Sequence, residues 1–139
     1  MAGKTTITRR LEFDAGHRLL HHEGKCRNAH GHRYVVEVQV AAPCLDSLSR
    51  VVDFSVVKGA LGGWIDEHLD HGFLVESGDP LGDVLDKELN KVFRFARGIK
   101  PTAEAIAHLL YDQATHLLPN LSIKSVTVWE TPNCKATYR

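Results

Sequence analysis

Two segments near the start of the chain alternate with a period of two, and histidines continue the apolar face of each. In residues 7–15 the odd positions are mostly apolar, and His17 is the next residue on that face. In residues 34–40 the even positions are apolar, and the same parity places His30 and His32 on that face. A period of two is typical of half-buried β-strands. Two neighbouring strands can therefore direct three imidazoles towards one point.

This histidine pattern fits a zinc site. Zn²⁺ binds neutral imidazoles in tetrahedral geometry, and a catalytic zinc keeps three protein ligands and one open position. His30 and His32 share one strand face, and His17 can provide a third ligand from the neighbouring strand. For an isolated His-x-His pair the alternative is a row of exposed histidines along a sheet edge. Because a third histidine is in register, we predict His17, His30 and His32 as zinc ligands.

Cys26 lies four residues before His30 and allows two interpretations. As a fourth zinc ligand it would close the site and make it structural. As a thiolate beside the metal, stabilised by the cation and by Lys25 and Arg27, it would serve as a base or nucleophile. The spacing along the sequence does not decide between these roles.

The composition argues against a nucleic-acid-binding, membrane or disulfide-rich protein. The 17 Lys and Arg residues balance the 17 Asp and Glu residues, so no basic field attracts nucleic acid or an anionic membrane. No apolar run reaches the roughly 20 residues that cross a bilayer, and the first residues form no signal peptide. The three widely spaced cysteines argue against a disulfide framework. We expect a cytoplasmic protein with a single domain over residues 1–139.

The remaining periodicity predicts an α+β fold. Further strands are predicted over residues 50–53, 123–130 and 135–138, and helices over residues 53–69 and 103–118. Residues 76–98 are interpreted as an insertion, with a helix start at Asp79-Pro80. This order indicates an antiparallel sheet with its helices packed on one face. The other face, or an edge, then has to be covered by assembly.

Six sequence blocks, in order, resemble the 6-pyruvoyl-tetrahydropterin synthase family. They are FDAGHR at 13–18, CRNAHGHRY at 26–34, VVDF at 51–54, LDHGFL at 69–74, PTAE at 101–104 and WET at 129–131. Within that family the chain is most similar to the bacterial branch of 6-carboxy-5,6,7,8-tetrahydropterin synthases, which act in queuosine biosynthesis. The family fold is the tunnelling fold, in which trimers close their sheets into a barrel and stack as hexamers, with sites between subunits.

The resemblance also implies roles for residues near the zinc. It makes the three histidines the zinc ligands, in agreement with their strand parity, and makes Cys26 a catalytic thiol. Asp70 and His71 would complete a proton relay, in which the carboxylate orients the imidazole. Without the resemblance, Asp70-His71 would be interpreted as an ordinary helix end.

Substrate contacts are implied in the same way. Glu130 would anchor the pterin by accepting two N–H groups of its aminopyrimidinone edge. Thr131 and Thr102 are further candidates for substrate binding, although a helix N-cap is the alternative for Thr102. Lys25, Arg27 and Arg33 are candidate partners of a triphosphate, with solvated flanking charge as the alternative for each.

The implied substrate is 7,8-dihydroneopterin triphosphate. In the bacterial branch the product is 6-carboxy-5,6,7,8-tetrahydropterin, and acetaldehyde and triphosphate are released. One alternative is formation of 6-pyruvoyl-tetrahydropterin, which requires only elimination of triphosphate. A second alternative is a non-catalytic protein that binds zinc or pterin, and a third is a zinc hydrolase of nucleotides.

Overall fold

A six-stranded sheet organises the structure, a computed structural model that describes residues 4–139. The strands are β1 (Thr6–His17), β2 (His30–Ala41), β3 (Gly72–Glu76), β4 (Val92–Phe95), β5 (Ser122–Thr131) and β6 (Cys134–Tyr138). Their order across the sheet is β4-β3-β1-β2-β5-β6. The long hairpin of β1 and β2 therefore forms the centre of the sheet, and the two short strands that follow the first helices extend one side.

The sheet is mixed, which refines the antiparallel prediction. β1 with β2, β2 with β5, and β5 with β6 pair antiparallel, as expected. β1 with β3 and β3 with β4 pair in parallel. Neither β3 nor β4 was predicted, because both are short and neither alternates strictly between apolar and polar residues. The consecutive apolar residues Phe73, Leu74 and Val75 of β3 are typical of a strand covered on both faces.

Three helices pack on one face of the sheet, as predicted. They are α1 (Phe54–Val57), α2 (Gly63–His68) and α4 (Ala103–Leu117). A π-helical segment, Lys58–Gly62, joins α1 to α2 without a break. The α1 N-cap is Asp53, whose carboxylate accepts the N–H of Ser55. None of the helices in residues 4–139 combines the length and the apolar character needed to span a bilayer.

The predicted strand at residues 50–53 is wrong. The carboxylate of Asp46 accepts the backbone N–H groups of Leu48 and Arg50, at 2.9 and 3.0 Å. Local side-chain acceptors of this kind compete with strand pairing and stabilise turns. The segment therefore forms a turn before α1.

Residues 76–98 contain regular structure. α3 (Pro80–Lys87) starts at the predicted Asp79-Pro80 signal, and β4 follows it. α3 packs against Val75 and Val92, and a Cβ at Gly82 would lie 2.9 Å from the Val75 side chain. Val75 alternates with the core residue Leu74, so α3 covers the opposite side of the two edge strands.

Candidate active site

The three predicted histidines lie together on the helix-covered face of the sheet. The β1–β2 register pairs His17 with His30 and Ala15 with His32, so all three imidazoles extend from one end of the central hairpin. Their ligand atoms lie within 4.8 Å of one another. His17 is the most enclosed of the three, at 1% exposure. Strand parity therefore predicted this convergence correctly.

Two backbone carbonyls fix the tautomers of two of these rings, His17 and His30. His17 Nδ1 donates to the carbonyl of Pro101 at 2.8 Å, and His30 Nδ1 donates to that of Asn28 at 2.7 Å. Because a carbonyl can only accept, each Nδ1 must carry its proton. In the neutral rings both Nε2 atoms are then left with a lone pair, and they lie 3.1 Å apart. This arrangement is typical of metal-binding histidines, whose second nitrogen is oriented by an outer partner.

The electrostatics of the cluster favour a cation. Two lone pairs at 3.1 Å repel each other unless a ring is protonated or a cation is bound. Burial lowers the pKa of His17 and of His32, which disfavours protonation. His32 Nε2 is buried and makes no hydrogen bond within residues 4–139. The three histidines can therefore hold a metal ion, and three neutral nitrogen ligands suit Zn²⁺.

Glu130 lies next to this cluster. Its Oε1 is 3.6 Å from His32 Nε2, and its side chain is 26% exposed. The pairing of β5 with β6 shifts register between Trp129 and Thr131, which marks a bulge at Glu130. Bulges redirect side chains next to active sites. Here the carboxylate borders an open pocket of about 570 Å³ that His32, Trp129 and Thr131 also line.

Cys26 lies in a short 3₁₀ turn, Lys25–Arg27, in the loop between β1 and β2. It is half-buried, whereas Cys44 and Cys134 are exposed, and all three are free thiols. The Cys26 carbonyl accepts the N–H of Leu19 at 2.8 Å, which fixes the turn to the end of β1. Among the described residues, the group of mutually close ligand atoms contains only the three histidines. The Cys26 thiol is not a member of this group.

Asp70 and His71 form a hydrogen-bonded pair on the other face of the sheet. His71 Nδ1 lies 2.8 Å from Asp70 Oδ2, and Asp70 Oδ1 accepts the N–H of Asp14 at 3.0 Å. His71 lines a shallow pocket with Asp14, Gly16 and Arg33, whose parity is opposite to that of the zinc-ligand candidates, and His32 also lines this pocket. The pair does not belong to the group of mutually close ligand atoms that the three histidines form within residues 4–139.

The backbone and charges around the pair hold it in place. His71 has a φ of 57°, a left-handed conformation that is uncommon for a residue with a side chain. Partial burial acts to raise the pKa of Asp70, but the hydrogen bonds from Asp14 and His71 and the charge of Lys91 outweigh it. The net effect is a pKa below the usual range, so Asp70 is a carboxylate that can orient the His71 ring.

The weaker substrate candidates differ in their surroundings. Thr102 caps α4 by accepting the N–H of Ala105 at 3.1 Å, which is its alternative role. Thr131 lines the pocket beside Glu130. Arg27 is exposed. Arg33 is already paired with Asp14 at 3.0 Å, which weakens its assignment to a triphosphate.

Sequence reasoning missed the carbonyls of Pro101 and Asn28. Backbone acceptors carry no residue-type signal, and Pro101 is 84 positions from His17. A Cβ at Gly31 would lie 3.1 Å from the carbonyl oxygen of Ala15, so the absence of a side chain at Gly31 allows the backbones of β1 and β2 to approach closely.

Comparisons with known proteins agree with this geometry. A family profile described as 6-pyruvoyl tetrahydropterin synthase matches residues 6–139. A protein of Rickettsia bellii named 6-carboxy-5,6,7,8-tetrahydropterin synthase is 40% identical over 131 residues, covering 91% of this chain and 94% of its own.

Two solved structures have the same fold. The structure of Caenorhabditis elegans 6-pyruvoyl tetrahydropterin synthase is 26% identical, with a TM-score of 0.72, and the match covers 99% of this chain and 96% of that one. An uncharacterized protein from Wolinella succinogenes has a TM-score of 0.82 at 24% identity, over 99% of this chain and 98% of its own. The predicted tunnelling fold is thus confirmed. On the profile match and the 40% identical relative, the chain belongs to the 6-pyruvoyl tetrahydropterin synthase family.

Proposed function

We propose that this chain is a zinc-dependent lyase that converts 7,8-dihydroneopterin triphosphate to 6-carboxy-5,6,7,8-tetrahydropterin, with release of acetaldehyde and triphosphate. The observation that carries the proposal is the convergence of three histidines, two of which, His17 and His30, donate through Nδ1 and so leave Nε2 unprotonated in the neutral rings. The relatives that carry the name 6-carboxy-5,6,7,8-tetrahydropterin synthase support a lyase of this type. The product would enter queuosine biosynthesis in the cytoplasm.

The histidine cluster would hold the catalytic metal. His17, His30 and His32 would bind Zn²⁺ through Nε2 and leave one position for substrate. When bound, the ion would supply Lewis acidity to a hydroxyl oxygen of the substrate side chain. The hydrogen bonds to Pro101 and Asn28 would keep the rings oriented for this task.

Glu130 would bind the pterin ring of the substrate, and Cys26 would act on its side chain. The Glu130 carboxylate would accept the N–H groups of the pterin edge. This contact would position the side chain of the substrate at the histidine cluster. The placement of Glu130 Oε1 3.6 Å from His32 Nε2 supports that role. Cys26, in the turn fixed to the end of β1, would move a proton at the side-chain carbon next to the ring. Thr131 would contribute to the same pocket, while Arg27 would face the triphosphate.

Asp70 and His71 would complete a site in a neighbouring chain. The pair lines a pocket with side chains of the face opposite to the cluster, Asp70 orients the ring, and the imidazole is 77% exposed. An exposed and oriented imidazole is suited to proton transfer with a group that another subunit brings close. We therefore propose a homo-oligomer, a dimer of trimers, in which each site draws its thiol and its relay from different chains.

The test is to incubate the zinc-loaded protein with 7,8-dihydroneopterin triphosphate and to assay acetaldehyde and the mass of the pterin product. Acetaldehyde with 6-carboxytetrahydropterin supports the proposal. Triphosphate release without acetaldehyde would instead indicate a 6-pyruvoyl-tetrahydropterin synthase. Binding without turnover would indicate a pterin-binding protein. If Cys26→Ala is assayed beside the wild type, Cys134→Ala is the matched thiol control.

A further inference from the structure

A buried ion pair joins the end of β1 to the start of α3. Arg18 directly follows His17, and its guanidinium donates to both carboxylate oxygens of Asp79, with Nε 2.8 Å from Oδ2. The Asp79 side chain is fully buried, and that of Arg18 is 22% exposed. The hydrogen bond from Arg18 holds the pKa of Asp79 below its usual range, so the carboxylate remains charged. A fork of charged hydrogen bonds offsets the cost of removing this carboxylate from water.

The pair fastens α3 to the strand that carries His17. Successive residues of a strand point to opposite faces, so His17 enters the cluster while Arg18 reaches the side that α3 covers. Asp79 Oδ1 also accepts the N–H of Leu81 at 2.9 Å and so caps α3. The α3 helix is itself packed closely on β3, where Gly82 meets Val75. Arg18 is therefore anchored to a rigid part of the fold.

The loop that carries Cys26 starts at the same place. Leu19, the residue after Arg18, donates its N–H to the carbonyl of Cys26 at 2.8 Å and accepts the N–H of His22 at 2.9 Å. One anchored residue thus separates the candidate ligand His17 from the hydrogen bond that holds the Cys26 turn. Movement of Arg18 would shift both the thiol and the end of β1.

We propose that Arg18 and Asp79 are positioning residues, which hold the Cys26 loop in register with the histidine cluster. The segment of residues 76–98 would then contribute to the reaction by supplying Asp79 as a fixed anchor. The proposal rests on the proposed function, because it takes Cys26 as the thiol that moves protons. It adds a role for two residues that do not touch the substrate.

The testing variant is Asp79→Asn in the zinc-loaded, full-length protein. Asparagine caps helices about as well as aspartate, so the bond to Leu81 is kept while the charged fork to Arg18 is lost. Asp53→Asn is the matched control, since Asp53 also caps a helix and pairs with an arginine, Arg50, at 3.0 Å. That pair is exposed and lies outside the candidate site.

Two measurements separate positioning from a purely structural role. Peptide-resolved hydrogen exchange should show residues 18–28 of Asp79→Asn exchanging about 10-fold faster, with β5 unchanged. Steady-state kinetics should show kcat falling about 10-fold, with KM and bound zinc unchanged. Asp53→Asn should match the wild type in all of these. Arg18→Lys keeps the positive charge but not the two parallel hydrogen bonds to Asp79, so its loop exchange and kcat should lie between those of the wild type and Asp79→Asn. It provides the test if Asp79→Asn does not fold.

Wild-type exchange in residues 18–28 or wild-type kcat in a folded variant would overturn the proposal, and so would an effect on KM alone. The exchange measurement does not depend on turnover. If the wild-type protein itself released no product, the proposed function would fail while faster loop exchange would still support the anchoring by Arg18 and Asp79.

Discussion

The histidine cluster and the Asp70–His71 pair lie on opposite faces of one sheet and differ in how they are held. His17 is 1% exposed, and its ring is oriented by the carbonyl of Pro101 in a distant element. The His71 side chain is 77% exposed, and its ring is oriented by its sequence neighbour Asp70. Both nevertheless depend on β1, which ends in His17 and anchors Asp70 and His71 through the backbone of Asp14.

The difference indicates which part of the site one chain can complete alone. The cluster brings three ligand nitrogens together within a single chain. The pair has an ordered geometry and a left-handed backbone at His71, features that cluster at functional sites, but it lies outside the group of close ligand nitrogens described in residues 4–139. Metal binding should therefore be a property of each chain, and turnover a property of the assembly.

The largest expected effect is that of His30→Ala. Removal of a ligand should reduce bound zinc from about one ion per chain to almost none, a greater loss than the roughly 10–100-fold that removal of an outer-shell partner causes. Turnover should be lost with the metal. Metal analysis after dialysis measures the first effect, and His71→Ala is the control that should keep its zinc. Loss of zinc in His71→Ala would contradict the claim that the histidine cluster binds the metal without the Asp70–His71 pair.

Cys26→Ala should separate metal binding from chemistry. The thiol lies outside the ligand group, so we expect wild-type zinc content and a fall in turnover of about 100- to 10,000-fold. Zinc content and product formation are measured on the same preparation, with Cys44→Ala as the control. A Cys26→Ala protein that releases its zinc would show that the thiol is a ligand.

Mixing inactive chains tests whether the two faces meet between subunits. Equal amounts of Cys26→Ala and His71→Ala chains, refolded together, should regain about one quarter of wild-type activity, because each site draws one intact chain of each kind by chance. Separately refolded samples should stay inactive. A mixture with no recovered activity would place the thiol and the relay in the same chain.

The pH dependence of stability should distinguish the buried histidines from the exposed one. Burial lowers the pKa of His17 and His32, so the unfolded chain binds protons that the folded metal-free chain does not. Their contribution is complete above about pH 6.5 and is lost as pH falls, at up to about 1.4 kcal/mol per pH unit for each histidine. Urea unfolding at pH 7.5 and 5.5 measures this. A His17→Gln variant with the full wild-type dependence would contradict it, and His71→Gln should retain the dependence.

The smallest effect is expected for Thr102→Ala. Loss of the α4 cap should lower the free energy of unfolding by about 1 kcal/mol and leave KM unchanged. Thr102→Ser keeps the hydroxyl and should restore stability. Thermal unfolding and steady-state kinetics together distinguish a helix cap from a substrate contact. A raised KM at unchanged stability would make Thr102 a substrate ligand.

The centre of the site could be predicted because it depends on local periodicity. In β1 and β2 the alternation of side chains fixes which face each histidine occupies, and the hairpin brings the strand ends together. The same argument located α3 and α4, whose start signals are N-cap residues close in sequence.

The rest depends on pairings between distant segments. β3 joins β1 in parallel through three residue pairs, a contact that no local pattern in LDHGFL specifies. That pairing places Asp70 and His71 on the outer face, and it also brings Asp79 to Arg18. The family resemblance implied functional roles for Asp70 and His71, but their position relative to the cluster required the structure.

The central claim is that three histidines bind zinc and leave one position for substrate. X-ray absorption at the zinc K-edge of the zinc-loaded protein tests it most directly. We expect a first shell of nitrogen and oxygen at about 2.0–2.1 Å, with imidazole scattering and no sulfur. A sulfur ligand at about 2.3 Å would make Cys26 the fourth ligand and the site a closed, structural one.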